Sequence, residues 1–359
     1  MGLGDKMSNI TRRGLIKSGI AVGAGIAGGT ARAADTPFRI GTWGGSWRDS
    51  IAKNVVDNMG LQGVPVEYTL GNPDDNLAKL IAAHRGGQIP FDVMECNPDQ
   101  TPLLTKSELF DTIDYAKMPN ARAIPAWGRE KVVTCTVSTE DGIVYNEDKF
   151  KSAGIPAPKS YMDLKDPKLA GKVAFPDVSN AQHWNAVVGL AMLGGGSEAN
   201  MAPAIKLVNE LKPGYFFAAS TDLATRFGSG EIWAAPWQVG WAVRMKRSGL
   251  PIAMAYPHFG SKVGALYTIS VAIVKGTPQT AHAYAFINEY LAPAAQGAHG
   301  STTGTLPLNP AARATLAKDP VNQSLMILSD AGLNNMFQID WAKLDTHKWR
   351  DDWSRGITR

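Results

Sequence analysis

Apolar and polar positions alternate over Phe38–Trp43 (FRIGTW), the pattern of a strand with one buried face, and the run stops at Gly44-Gly45-Ser46. From about Ser46 to Met59 the period lengthens and predicts an amphipathic helix. Val64–Leu70 reads as a second strand. Asn72-Pro73-Asp74-Asp75 then opens a helix with Leu77, Leu80, Ile81 and His84 on one face, stopped by Gly86-Gly87. Phe91–Glu95 predicts a third strand, ended by Cys96-Asn97-Pro98. A β-α-β-α-β order predicts an α/β fold with mostly parallel sheets. Ligands of such sheets sit outside the carboxyl ends of the strands, which singles out the loops Trp43–Ser46, Leu70–Asp74 and Cys96–Asp99.

The chain turns over between Asp141 and Asp177. Gly142–Tyr145 reads as a β-type run ending in Asn146, which tolerates turn conformations. A short amphipathic piece with Phe150 and Ala153 follows, then a loop punctuated by Pro156 and Pro158, and a fresh short strand at Lys172–Phe175. One α/β unit closes and a second begins. Its helix around Ala186–Leu193 ends in three glycines. Another, with Met201, Ile205, Val208 and Leu211 on one face, is ended by Lys212-Pro213-Gly214. Trp341, Trp349 and Trp353 near the end stand at almost helical spacing and are expected to pack against the second unit.

A length of 359 residues suits two domains, and 44% hydrophobic with 19% charged residues describes a globular chain. The net charge of +4 resides in the first 33 residues; without them basic and acidic residues are equal in number, so nucleic-acid binding is not expected. Those residues read as a twin-arginine export signal: Arg12-Arg13, a weakly apolar Gly19–Gly29 run too short to span a membrane, and Ala31-Arg32-Ala33 for cleavage. The G-x-G-x-x-G match at Gly23–Gly28 lies inside this signal, without the flanking strand and helix of a dinucleotide site, and is rejected.

Candidate chemistry is sparse. The histidines form no H-E-x-x-H and there is no C-x-x-C, so no metal or cofactor is expected. Ser50-Ile51-Ala52-Lys53 lacks the partner motifs of a β-lactamase, Gly171-Lys172 is not a P-loop, and G-x-S-x-G is absent. Twin-arginine export often serves enzymes that fold around a cofactor, which keeps an exported enzyme as an alternative. Cys96 and Cys135, each near a strand end in the first unit, are available for a disulfide in an exported protein.

Three pieces stand in order: Gly142–Asn146 (GIVYN), Lys159–Leu164 (KSYMDL) and Asp166–Val173 (DPKLAGKV). In that order the sequence resembles the family 1 extracellular solute-binding proteins of ABC importers, most closely the spermidine- and putrescine-binding branch, with Tyr161 in a place usually held by Trp. The likeness runs from about Phe38 to Ala311, with Tyr267–Val274 as the returning strand. It implies a two-lobed periplasmic-binding-protein fold (type II) with a two-strand hinge near Tyr145 and Leu266. Lobe I is then 34–144 plus 267–315 and lobe II 145–266 plus 316–359. It also implies a periplasmic monomer, no catalysis, a small-molecule solute held between the lobes and an ABC permease as partner.

The residues placed at the cleft are Trp43, Gly44, Gly45, Ser46, Asn97, Asp141, Trp184, Trp237, Gln238, Arg244 and Tyr267. Aromatic faces there attract an ammonium group through the ring quadrupole. The carboxylates of the polyamine binders are replaced by Gly45, the Ala181–Trp184 stretch and Ile269. A long polyamine would then bury ammonium groups without counter-charge, which is costly. A smaller amine-bearing solute, singly cationic or zwitterionic, fits better. Asp141, Asp177 and Asp222 are the acids placed to supply one carboxylate, and Arg226 and Arg244 the bases that face an acid group. The alternatives are an anionic or metal solute on the same fold, and a signalling receptor.

Overall fold

The computed structural model describes residues 36–61 and 63–358. The export signal lies outside the described residues. Strand β1 (Phe38–Thr42), helix α1 (Ser46–Asn54), β2 (Val66–Leu70), α2 (Pro73–Arg85) and β3 (Val93–Cys96) form the opening unit. Each lies within a few residues of its predicted span. β1 pairs in parallel with β2 and β3. Asn72 caps α2 through its side chain, and Pro73 takes the first turn, where no backbone N–H is needed.

Helix α3 (Thr101–Lys106) leads by short turns to β4 (Val133–Asn146), which begins nine residues before the predicted Gly142–Tyr145 run. Its first part, VTCTVSTED, carries too many polar residues to read as a strand. All fourteen residues are nonetheless buried. Neighbours on both sides satisfy this burial: β11 (Ala265–Ile273) pairs with Val133–Asp141, and β12 (Leu306–Pro307) with Val137 and Ser138.

After α4 (Glu147–Ala153) comes the second unit. It contains β5 (Ala174–Pro176), α5 (His183–Leu193), α6 (Ala202–Leu211), β6 (Tyr215–Phe217), α7 (Ser220–Gly228), β7 (Ala234–Gln238), α8 (Val239–Arg247) and β8 (Ile252–Ala255). β5 pairs in parallel with β6, and a parallel bridge from Val173 to Ala234 joins them to β7. β7 and β8 pair with the second half of β4. A small ribbon, β9 (His258–Phe259) and β10 (Lys262–Val263), precedes β11.

The two units therefore share β4. Asp141 pairs with Ala265 on one side and Gln238 on the other, so the crossing falls at Asp141–Gly142. A Cβ at Gly142 would lie 2.5 Å from the Ala255 carbonyl oxygen, so only glycine lets these backbones meet. The architecture is the expected two-lobed α/β fold. Parallel pairing joins β1 to β2 and β3, and β5 to β6 and β7, while the crossing strands β4 and β11 pair with each other antiparallel.

Helices α9 (Thr280–Tyr290) and α10 (Pro293–Thr303) pack on the first unit, where Phe38, Ile40, Val93, Val271, Phe286 and Ile287 share one core. The chain then adds α11 (Pro310–Leu316), α12 (Pro320–Leu325), α13 (Asp330–Asn334) and α14 (Thr346–Gly356). Trp349 and Trp353 of α14 are buried with Phe175, Val187 and Leu190 of the second unit. The Trp353 ring stacks on Phe175 and meets His183 edge-on at 4.4 Å. Trp341 differs: it stays partly exposed, bridges the two cores and meets Tyr267 edge-on.

Cys96 and Cys135 are both free and buried, so the disulfide allowed by the sequence does not form. Both pair with Ser270, from opposite sides of β11. Two strand spacings, about 9.6 Å, separate them, beyond the ~7 Å a disulfide spans.

Candidate functional site

Two adjoining cavities, of about 390 and 170 Å³, open at the carboxyl ends of the parallel strands of both units. Their common walls are Trp43, Asn97, Ser179, Asn180, Ala181 and Tyr267. The loop after β1 brings Trp43, Gly44, Ser46 and Trp47; the end of β3 brings Asn97. The loop after β5 brings Ser179 to Gln182, and the end of β7 brings Gln238. Thr139 and Tyr267, paired across β4 and β11, form the floor with Ile269. The larger volume suits a small organic solute. A third cavity, of about 430 Å³, lies behind β11, walled by Leu266 and Thr268 of the opposite strand face and by residues 338–342.

Helix α8 supplies the far wall. Trp241 and Arg244, three residues apart, share one helix face, and the extended N-cap residue Gln238 precedes them at the same wall. The Arg244 guanidinium lies 4.9 Å from the Trp241 ring centre and donates to the Thr303 carbonyl at 2.9 Å. Thr303 and Thr305 complete this end, with hydroxyls 2.9 Å apart. Arg244 is the one charged side chain lining the larger cavity among the described residues.

Trp43 meets Trp47 edge-on at 5.1 Å, and the Trp47 indole N–H donates to Glu95 at 3.0 Å. Glu95 also accepts from Thr42 and, at 3.4 Å, from the Tyr290 hydroxyl. It lies beneath the site, and burial pushes its carboxyl up to about 7 despite these donors.

The smaller cavity differs in charge. Asp74, Asp99 and Arg350 line it with Trp184. Asp74 accepts from Gln100 at 2.8 Å, and Arg350 lies over the Trp184 ring at 5.3 Å. Burial, then the charge of Asp74, push the Asp99 carboxyl up to about 6. Tyr267 is 3% exposed and its hydroxyl has no hydrogen-bond partner among the described residues. Asp99 Oδ1 is likewise buried without a partner.

Of the residues placed at the cleft by sequence, Trp43, Gly44, Ser46, Asn97, Gln238, Arg244 and Tyr267 line the larger cavity. Trp184 lines only the smaller one. Gly45 lines neither: at φ 63° it is the N-cap residue of α1, and its role is the turn. Trp237 is a correction. Strand alternation turns its ring into the core against Phe217 and Phe227, and its N–H bonds Ser220. Asp141 is a second correction: it is buried, accepts from Asn185 at 2.7 Å and Thr139 at 3.2 Å, and reaches neither cavity. Asp99 and Gln182 fall inside stretches that the sequence marks, whereas Trp47, Trp241, Thr303 and Thr305 lie outside them. The three-residue spacing to Arg244 carried a signal for Trp241; nothing in the sequence places the two threonines.

A family model for bacterial extracellular solute-binding proteins matches residues 57–324, more than half of the chain. No curated protein matches the sequence. Solved structures show the same fold. An ABC transporter structure from Clostridium perfringens is 23% identical with a TM-score of 0.72, over 89% of this chain and 100% of its own. A GABA receptor structure is 19% identical with a TM-score of 0.73, over 90% and 98%. A structure described as a spermidine/putrescine ABC transporter from Listeria monocytogenes is 17% identical with a TM-score of 0.69, over 89% and 98%. The chain belongs to the bacterial extracellular solute-binding proteins.

Proposed function

We propose that this protein receives a small amine-bearing solute in the periplasm, between lobes formed by 34–144 plus 267–315 and by 145–266 plus 316–359, and hands it to an ABC permease. The lobes close about the strand crossing and offer a joint surface to the permease. The protein acts as a monomer, performs no chemistry and needs no cofactor. The carrying observation is the cleft itself: the loops after β1, β3 and β5 and the end of β7 meet around Trp43 and Tyr267. An aromatic wall with a carboxylate beside it suits one ammonium group. The GABA receptor of like fold takes a solute with one amine, which supports this size class. Export by the twin-arginine route rests on Arg12 and Arg13.

Calorimetry of the mature protein against amines, amino acids, betaines and inorganic anions tests the reading. A ligand at 100 times its Kd stabilises by about 2.7 kcal/mol, so a thermal-shift screen precedes it. An amine-bearing compound should bind, and Trp43→Ala should weaken it. Tightest binding of an inorganic anion would overturn the reading.

A further inference from the structure

Three helices start at the larger cavity. Gly45 and Ser46 begin α1, Gln182 begins α5 and Gln238 begins α8; these helices have 9, 11 and 9 residues. None is closed by a side-chain cap. The first turns of α5 and α8 carry no acidic residue, and Asp49 in that of α1 is paired with Arg48 at 2.8 Å. At α5 the N–H groups of Gln182 and His183 already donate to Asn180, at 3.1 and 2.9 Å, so it is the helix dipoles of all three helices that make this end electropositive. Arg244 adds a full charge and forms no ion pair among the described residues. Gln182 is 7% exposed and lines the cavity, and its side chain makes no hydrogen bond to a described residue.

The smaller cavity has the opposite bias. Its helix, α2, is capped by Asn72 and carries Asp74 and Asp75 in the first turn, which cancels the N-terminal charge. Asp74 and Asp99 face Arg350, so two acids oppose one base. The unpartnered Tyr267 hydroxyl and Asp99 Oδ1 remain to accept hydrogen bonds.

We infer that the solute is a zwitterion with separated charges, its carboxylate held by Arg244, Gln182 and the starts of α1, α5 and α8, and its ammonium by Asp99 and Tyr267. This deepens the cleft reading above and rests on it. The apolar stretch between the charges lies along Trp43, which lines both cavities. A simple amine leaves Arg244 without a counter-charge, and a simple acid leaves Asp99 so. Each forfeits a charge-assisted hydrogen bond in a partly desolvated site.

Calorimetry with 3-aminopropanoate, 4-aminobutanoate and 5-aminopentanoate, set against butylamine and butanoate, tests the assignment. At least one amino acid should bind tenfold or more tighter than both one-headed compounds. Arg244→Gln should remove that advantage over butylamine, and Asp99→Asn that over butanoate. Butylamine binding as tightly as every amino acid, unaffected by Arg244→Gln, would overturn the charge order. So would failure of all three amino acids to bind protein whose circular dichroism shows it folded. Trp43→Ala separates the two levels: if a one-headed compound binds and this variant abolishes it, the cleft stands and the zwitterion falls. If an amino acid binds and Trp43→Ala, Arg244→Gln and Asp99→Asn all leave it unchanged, the cleft itself is wrong.

Discussion

The indole of Trp237 stacks on that of Trp241, with ring centres 5.4 Å apart and planes inclined at 12°. The strand residue faces the core and the helix residue faces the cleft. One aromatic thus sets the position of the other, and through it the Arg244 guanidinium.

The pair separates stability from binding. Trp237→Ala removes a ring that is 1% exposed and should cost about 3–5 kcal/mol of stability. Trp241→Ala lies on the cavity wall and should cost far less stability while weakening solute binding. Urea denaturation and calorimetry on both variants check this; equal losses of stability would contradict the division.

Stability should fall as pH rises from about 6.5 to 8. Burial raises the carboxyls of Glu95 and Asp141 to about 7 and of Glu140 to about 8. The folded state then holds protons that the unfolded chain has released, so each group loses stability as pH rises from its unfolded pKa through its folded one. Buried His183 and His299 are lowered to about 4 and 3, and act in the opposite sense only below the unfolded histidine value near 6.5. Above that pH the acids act alone. Chemical denaturation at pH 6.5, 7.2 and 8 should give declining midpoints, and Glu140→Gln should flatten the decline.

The thiols should behave as two inert, unpaired groups. Burial raises both far above the usual thiol range. Reductant should leave the melting temperature unchanged. A thiol reagent should label neither residue quickly in the native protein and both after unfolding.

Helix α14 should act as part of the second lobe rather than as a tail. Trp353→Ala would open a cavity among Phe175, His183 and Phe216 and should cost about 3–5 kcal/mol. Deleting residues 346–359 should cost more. A truncated protein as stable as its parent would contradict the packing.

Much of this molecule could be read from order along the chain. Alternation at Phe38–Trp43, the Asn72-Pro73 helix start and the glycine stops placed the first unit, because periodicity and capping act over a few neighbouring residues. The β-α alternation in turn marked the loops after β1, β2 and β3, and all three reach the cleft. What the chain order could not supply was contact between distant segments. Polar Thr134–Asp141 is a strand only because β11 and β12, more than a hundred residues later, satisfy its backbone. The sequence marked Trp237 for the cleft and passed over Trp241, but the pleat and the core behind it turn Trp237 inward and leave Trp241 on the cavity wall. Cys96 and Cys135 stood near enough in sequence to pair, yet β11 passes between them. The meeting of three helix starts around Arg244, opposite Asp99 and Tyr267, is likewise a property of how the two units pack across one shared strand.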